Sequence, residues 1–135
     1  MTLCDASALI AIISNSDRYH SLCVEALAEL ESPLVSTWPC IVEAMYLLGK
    51  ESGWRGQSAL WEYINDEVLE LFTPSDADVR KMSRLMHQYR DLPMDLGDAS
   101  LVAAAEALGT KLVFTLDNDF RIYRFKGKQA FEIVP

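Results

Sequence analysis

The chain has 135 residues with 12 Lys plus Arg against 20 Asp plus Glu, a formal net charge of −8 at pH 7. Half the residues are apolar and 24% are charged, which is enough to bury the core of a single domain spanning 1–135 and too hydrophobic for a disordered acidic tail. The acidic balance argues against a protein that wraps nucleic acid by charge alone, because such binding shows as a net basic domain. The charge is uneven: residues 121–135 carry Arg121, Arg124, Lys126 and Lys128 against Glu132, a net +3, which leaves −11 for residues 1–120.

Leu3-Cys4 reads as a short strand running into a helix over Ser7 to Ser14. The run Leu3 to Ile13 has no preceding base and is broken by Asp5, so it is not expected to be a secretory signal, and no stretch is long enough to span a membrane. Cys4, Cys23 and Cys40 form an odd set without a C-x-x-C pair, each beside apolar neighbours, and are expected as reduced core thiols in a cytoplasmic protein. Cys23, Ala26, Leu27 and Leu30 give the stripe of an amphipathic helix over His20 to Glu31, stopped by Pro33. Pro33 to Ser36 is a brief strand. Ser36 or Thr37 then caps a helix with Pro39 in its first turn, Ile41, Ala44, Met45 and Leu48 on its buried face, and Gly53 at its exit.

A helix over Gln57 to Ile64 and a strand over Val68 to Phe72 follow. Ser75 is an N-cap with Asp76 and Asp78 in the first turn, where the helix dipole favours anions, and Val79, Met82, Leu85, Met86 and Tyr89 carry the apolar stripe to about Arg90. Leu92 to Gly97 reads as a loop. Asp98 opens an alanine-rich helix to Leu108, with Gly109 as its C′ residue. Lys111 to Thr115 and Phe131 to Val134 are the last strands. Helices alternating with short apolar strands predict an α/β, three-layer fold with a central, mostly parallel sheet covered on both faces, and ligands at the carboxyl ends of the strands.

Four acids stand out. Asp5 interrupts an apolar run, Glu43 lies inside Ile41 to Leu48, Asp98 opens the alanine-rich helix, and Asp117 follows Lys111 to Leu116. Removing a carboxylate from water without a partner costs several kcal/mol, on the order of a small domain's whole stability. Basic partners are few nearby in sequence, protonation suits one member of a close pair, and a divalent cation alone rewards clustering several acids. The coarse fold brings all four to one crevice at the strand ends. An oxygen-only set suits Mg²⁺ or Mn²⁺ rather than zinc, and such ions serve phosphodiester hydrolysis.

The segments Asp5-Ala6-Ser7-Ala8-Leu9, Glu43 in the helix after Ser36-Thr37, Gly97-Asp98-Ala99-Ser100-Leu101 and Thr115-Leu116-Asp117-Asn118-Asp119-Phe120 together resemble the PIN-domain family, and within it VapC-type toxin ribonucleases. Ala6 stands where that family most often has threonine. The resemblance spans essentially the whole chain and implies a PIN-like fold and a Mg²⁺- or Mn²⁺-dependent endoribonuclease. Its metal-binding and catalytic acids would be Asp5, Glu43, Asp98 and Asp117, its substrate RNA, its partner a cognate antitoxin, and its assembly a homodimer.

Asp95 and Asp119 are secondary candidates, Asp119 as an alternative to Asp117. Ser7 and Thr115 would orient ligands or the attacking water, or simply cap a helix start and a strand end. Arg121 and Arg124 are candidate contacts to RNA phosphates. Alternatives within the same resemblance are a nuclease of RNA maturation or decay without an antitoxin and a non-catalytic binding module. His20 and His87 read as structural. Core or dimer contact is expected for at least two of Trp38, Trp54 and Trp61. No G-x-S-x-G, P-loop or G-x-G-x-x-G is present.

Overall fold

A computed structural model describes all residues, 1–135. In chain order the elements are β1 (Thr2–Cys4), α1 (Ala6–Ile13), α2 (His20–Leu27), β2 (Leu34–Thr37), α3 (Trp38–Ser52), α4 (Trp54–Asn65), β3 (Leu69–Phe72), α5 (Asp76–Gln88) and α6 (Leu96–Leu108). They are followed by β4 (Leu112–Phe114), a 3-10 turn (Asn118–Arg121), the strands β5 (Arg124–Phe125) and β6 (Gln129–Ala130), and β7 (Glu132–Val134). Five strands form one sheet in the order β3-β2-β1-β4-β7 with every pairing parallel, so the expected architecture is present. β5 and β6 form a separate antiparallel hairpin.

The two faces of the sheet follow from the period of two along a strand. Leu3, Val35 and Val113 point to one side, where they pack with Met82 and Leu85 of α5, Ala99 to Ala105 of α6, and Phe120 and Tyr123. Cys4, Leu34, Leu69 and Phe114 point to the other, against α1, α3 and α4 through Leu9, Ile41, Leu48 and Leu60. α6 is buried along its whole length from Asp98 to Ala105, which its small side chains permit. All three cysteines are free and buried, as expected. No helix is long and apolar enough to cross a membrane.

Several boundaries differ from expectation, each for a local reason. α1 starts at Ala6 because Asp5 itself is the N-cap. α2 ends four residues early, at Leu27, and α4 begins three residues early, directly after Gly53 at φ 62°. Neither Ser36 nor Thr37 caps α3 with its side chain: the Ser36 hydroxyl donates to the Cys4 carbonyl at 2.7 Å, and Thr37 Oγ1 pairs with Ser100 Oγ at 2.6 Å. Both hydroxyls pin neighbouring elements together instead. α6 opens two residues before Asp98, with Asp95 as N-cap, so Leu96-Gly97 is helix and Asp98 sits inside the first turn. The tryptophans are not core: Trp38, Trp54 and Trp61 are all exposed.

The chain leaves β1 toward β2 and β3 on one side and reaches β4 and β7 on the other. Strand order therefore reverses beside β1, and the crevice beyond the carboxyl ends of β1 and β4 is where ligands of parallel sheets bind.

Candidate metal centre

Asp5 ends β1 and lies 6% exposed at the floor of this crevice. Its Oδ1 accepts from the Ala8 amide at 3.1 Å and from the Ser7 hydroxyl at 2.6 Å, and its Oδ2 accepts from Thr115 Oγ1 at 2.5 Å. Thr115 Oγ1 in turn accepts from the Asp117 amide at 2.9 Å, and Ser7 Oγ accepts from the Leu116 amide at 3.0 Å. The two hydroxyls thus lock the end of β1 to the segment leaving β4 and fix the Asp5 carboxyl between them. Burial pushes the Asp5 pKa up, against the pull of these donors, and the charge of Asp117 adds to the rise. Two donors fill the lone pairs of Oδ1, whereas Oδ2 accepts one bond and keeps a lone pair for a further partner.

Asp98, in the first turn of α6, is 8% exposed. Its amide donates to Asp95 Oδ1 at 2.7 Å, and its Oδ2 accepts from the buried Tyr123 hydroxyl at 2.7 Å. Burial is the main cause pushing its pKa up to about 7; the Tyr123 hydrogen bond works against the rise, and the charges of Asp95, Asp117 and Asp5 add to it. Asp117 caps the 3-10 turn, accepting from the Asp119 amide at 2.9 Å. One carboxylate oxygen each of Asp98, Asp117 and Asp119 lies within 4.8 Å of the others. Asp117 and Asp119, weighed as alternatives from sequence, thus face the same space. The Asp119 carboxyl is pushed up by partial desolvation and then by Asp117 and Asp95.

Glu43 stands on the second turn of α3, and its surroundings differ from expectation. The run Ile41 to Leu48 is not largely buried: α3 buries Ile41, Ala44 and Leu48 and exposes Val42, Glu43, Tyr46 and Leu47, because eight consecutive helical residues cover both faces. Glu43 still belongs to the acidic wall. Partial desolvation and then the charges of Asp95, Asp5 and Asp117 push its carboxyl up. Asp95 is exposed and serves as the N-cap of α6.

No crevice acid is in an ion pair. The chain has two ion pairs, the N-terminus with Glu31 and Lys81 with Glu106, and neither involves a crevice acid. The donor set fits a hard divalent cation: it is all oxygen, and Cys40, which packs under the α6 start with its thiol 3.6 Å from the Gly97 carbonyl, is pushed up to about 12 by burial and offers no thiolate. The histidines lie elsewhere, His20 on α2 with Nδ1 2.7 Å from the Ala11 carbonyl and His87 exposed on α5.

Of the two arginines expected to face substrate, Arg121 is exposed on the 3-10 turn. Arg124 turns back on its own backbone, Nη1 donating to the carbonyls of Arg121, Ile122 and Tyr123 at 2.8, 3.2 and 3.0 Å. Tyr123 was not singled out by the sequence. Its signal was the alternation of aromatic residues with bases in Tyr123-Arg124-Phe125-Lys126, which a two-residue period would have turned inward.

The family model of the PIN domain matches residues 2–126. No curated protein sequence matches the chain. Among solved structures, similar folds include VapC20 of Mycobacterium tuberculosis, a sarcin-ricin loop cleaving toxin, with TM-score 0.85 and 16% identity over 100% of both chains. A toxin-antitoxin complex from Klebsiella pneumoniae gives TM-score 0.68 and 18% identity over 89% of this chain and 90% of that one. VapBC2 from Rickettsia felis, bound to a DNA fragment from its promoter, gives TM-score 0.68 and 15% identity over 99% and 98%.

Proposed function

The chain belongs to the PIN-domain family, and from that premise we propose that it is a Mg²⁺- or Mn²⁺-dependent endoribonuclease, the toxin of a type II toxin-antitoxin pair, acting in the cytoplasm. The observation that carries the reading is the convergence of Asp5, Asp98, Asp117 and Asp119 at the β1/β4 switch point, with Glu43 on its wall and none of them in an ion pair. Asp98, Asp117 and Asp119 would hold one divalent ion, with Asp5 and Glu43 completing the set. When bound, such an ion supplies Lewis acidity to the scissile phosphate and acidifies the attacking water.

The chain's own residues do the positioning. Ser7, Thr115 and the Ala8 amide hold Asp5 at the end of β1, and Tyr123 fixes one oxygen of Asp98 so that the other is free for the crevice. Arg121, exposed on the turn that carries Asp119, would meet an RNA phosphate, while the Arg124 guanidinium is held by the carbonyls of residues 121–123 beside it.

Exposed apolar side chains support protein partners. Trp38, Val42, Tyr46 and Leu96 border the acids across α3 and the start of α6 and suit a homodimer contact; Leu22 and Val24 on α2 and Trp54 and Trp61 on α4 suit an antitoxin segment. The test is direct. The purified chain with Mn²⁺ cuts RNA, and Asp5→Asn and Asp98→Asn each abolish cutting while circular dichroism reports an intact fold. Retained cutting in both variants removes the assignment.

A further inference from the structure

The bases of this acidic protein are segregated. Residues 80–90 and 121–128 hold eight of the 12 Lys and Arg and no Asp or Glu, so the remainder of the chain carries four bases against 20 acids. The fold brings these two segments together. Lys81 and Arg84 of α5 line a small cleft with Arg124 and Gly127 of the β5–β6 hairpin, and the Arg124 amide donates to the Tyr89 hydroxyl just past the end of α5 at 3.2 Å. Arg80 and Arg84 are exposed about one helical turn apart, roughly 6 Å along the axis, comparable to the separation of neighbouring phosphates on a strand.

Of these cations only Lys81 is engaged by a carboxylate. Lys81 pairs with Glu106, the acid in the cleft wall, at 3.5 Å, and no other base of either segment is in an ion pair. The Arg124 guanidinium is already held by three backbone carbonyls, so placing an anion on its remaining N–H groups loses little side-chain freedom. These bases are also joined to the metal centre along the chain, because residues 117–124 run from Asp117 and Asp119 through Arg121 and Tyr123, whose hydroxyl holds Asp98, to Arg124. We propose that α5 and the β5–β6 hairpin form a docking surface for the RNA sugar-phosphate backbone, carried by Arg80, Arg84 and Arg124 and lying on the far side of Tyr123 from the carboxylates. The proposal rests on the endoribonuclease reading and adds where the flanking part of the substrate lies.

An acidic protein segment is the competing occupant. RNA is favoured because one short segment, residues 117–124, carries both crevice carboxylates and Arg124, and because the acidic remainder of the molecule would hold a polyanion away from every other face.

The experiment measures affinity for a fluorescent single-stranded RNA across a salt series with Mg²⁺ present, in the Asp98→Asn background so that the probe stays whole. Arg80→Gln with Arg84→Gln should flatten the slope of log K against log salt by about 1.4 for two lost phosphates and weaken binding about 25-fold at about 0.1 M salt. Arg18→Gln with Arg55→Gln, an equal change of net charge away from this surface, should leave slope and affinity as they were. An unchanged slope in the first pair, or equal weakening by both pairs, overturns the proposal. So does a chain that ignores RNA but binds polyglutamate through Arg80 and Arg84. The two readings fail separately. A wild-type chain that never cuts RNA, yet shows the expected slopes, loses the nuclease and keeps the surface; one that cuts RNA with unchanged slopes does the reverse.

Discussion

Replacing Asp98 with Asn should inactivate the protein and stabilise it at the same time. The side chain keeps its size and its capacity to accept from the Tyr123 hydroxyl, and it loses only the charge that burial and the neighbouring acids oppose. The folded chain holds the Asp98 proton up to about 7 against an ordinary value of 3.8. Below 3.8 the carboxyl is protonated in both states and contributes no penalty. Between the two values the unfolded chain ionises while the folded one does not, so stability falls as pH rises, and above 7 the full cost is present. At about 1.4 kcal/mol per pH unit that cost has a ceiling of about 4 kcal/mol, and the crevice's opening to solvent reduces it to about 2 kcal/mol. In urea unfolding with EDTA, Asp98→Asn should therefore exceed the wild type by about 2 kcal/mol at pH 8 and by less than about 1 kcal/mol at pH 4. A variant equal to or weaker than the wild type at pH 8, or an advantage independent of pH, would refute the view that Asp98 is an uncompensated charge in the metal-free chain.

Mg²⁺ or Mn²⁺ should raise the wild-type melting temperature at pH 8, with about 2.7 kcal/mol of stabilisation at a hundred times Kd, and Asp98→Asn should blunt the rise; an equal rise in the variant would place the ion elsewhere. Tyr123→Phe should lower unfolding free energy by about 1–2 kcal/mol, and by more at pH 8 than at pH 4, because the lost bond is to a carboxylate whose ionised form accepts more strongly. Equal losses at both pH values would leave Tyr123 as ring packing against Tyr89 and Phe120 only. Ser75→Ala removes the reciprocal cap with Asp78 at the start of α5 and should cost about 1 kcal/mol with RNA cleavage rates intact; a loss of cleavage would show that α5 is coupled to the site through stability.

The parallel sheet was legible because its inner strands β1, β2 and β4 are buried on both faces and read as short apolar runs between helices. Asp5 and Asp98 were legible for the same reason: each is a charge where the surrounding run leaves it little water, and both are in fact under a tenth exposed. Glu43 drew attention by a weaker form of that logic. A run of eight residues in a helix, here seven apolar ones and Glu43, covers both faces, so burial of part of the run does not imply burial of every member, and Glu43 is exposed among the apolar side chains of α3 that face solvent. The start of α6 was misplaced because Asp95 and Asp98 both suit a helix N-terminus, and only backbone geometry decides which of them caps.

The segment 117–130 was the least legible stretch, and it joins the two charged halves of the molecule. Its 3-10 turn and two-residue strands are too short to show a period, and Tyr123 and Arg124 bond to partners that no sequence spacing specifies, Asp98 25 residues away for the one and the chain's own carbonyls for the other. Arg124 is thereby fixed from behind as Asp98 is fixed by Tyr123, so one short turn sets the position of a carboxylate and of a guanidinium together. The same connection limits how the two can be altered. A substitution that frees Arg124 from the carbonyls of residues 121–123 loosens the backbone that carries Tyr123, and its effect on RNA binding would be mixed with an effect on Asp98. Arg80 and Arg84, anchored only on α5, separate the electrostatic contribution from the positional one.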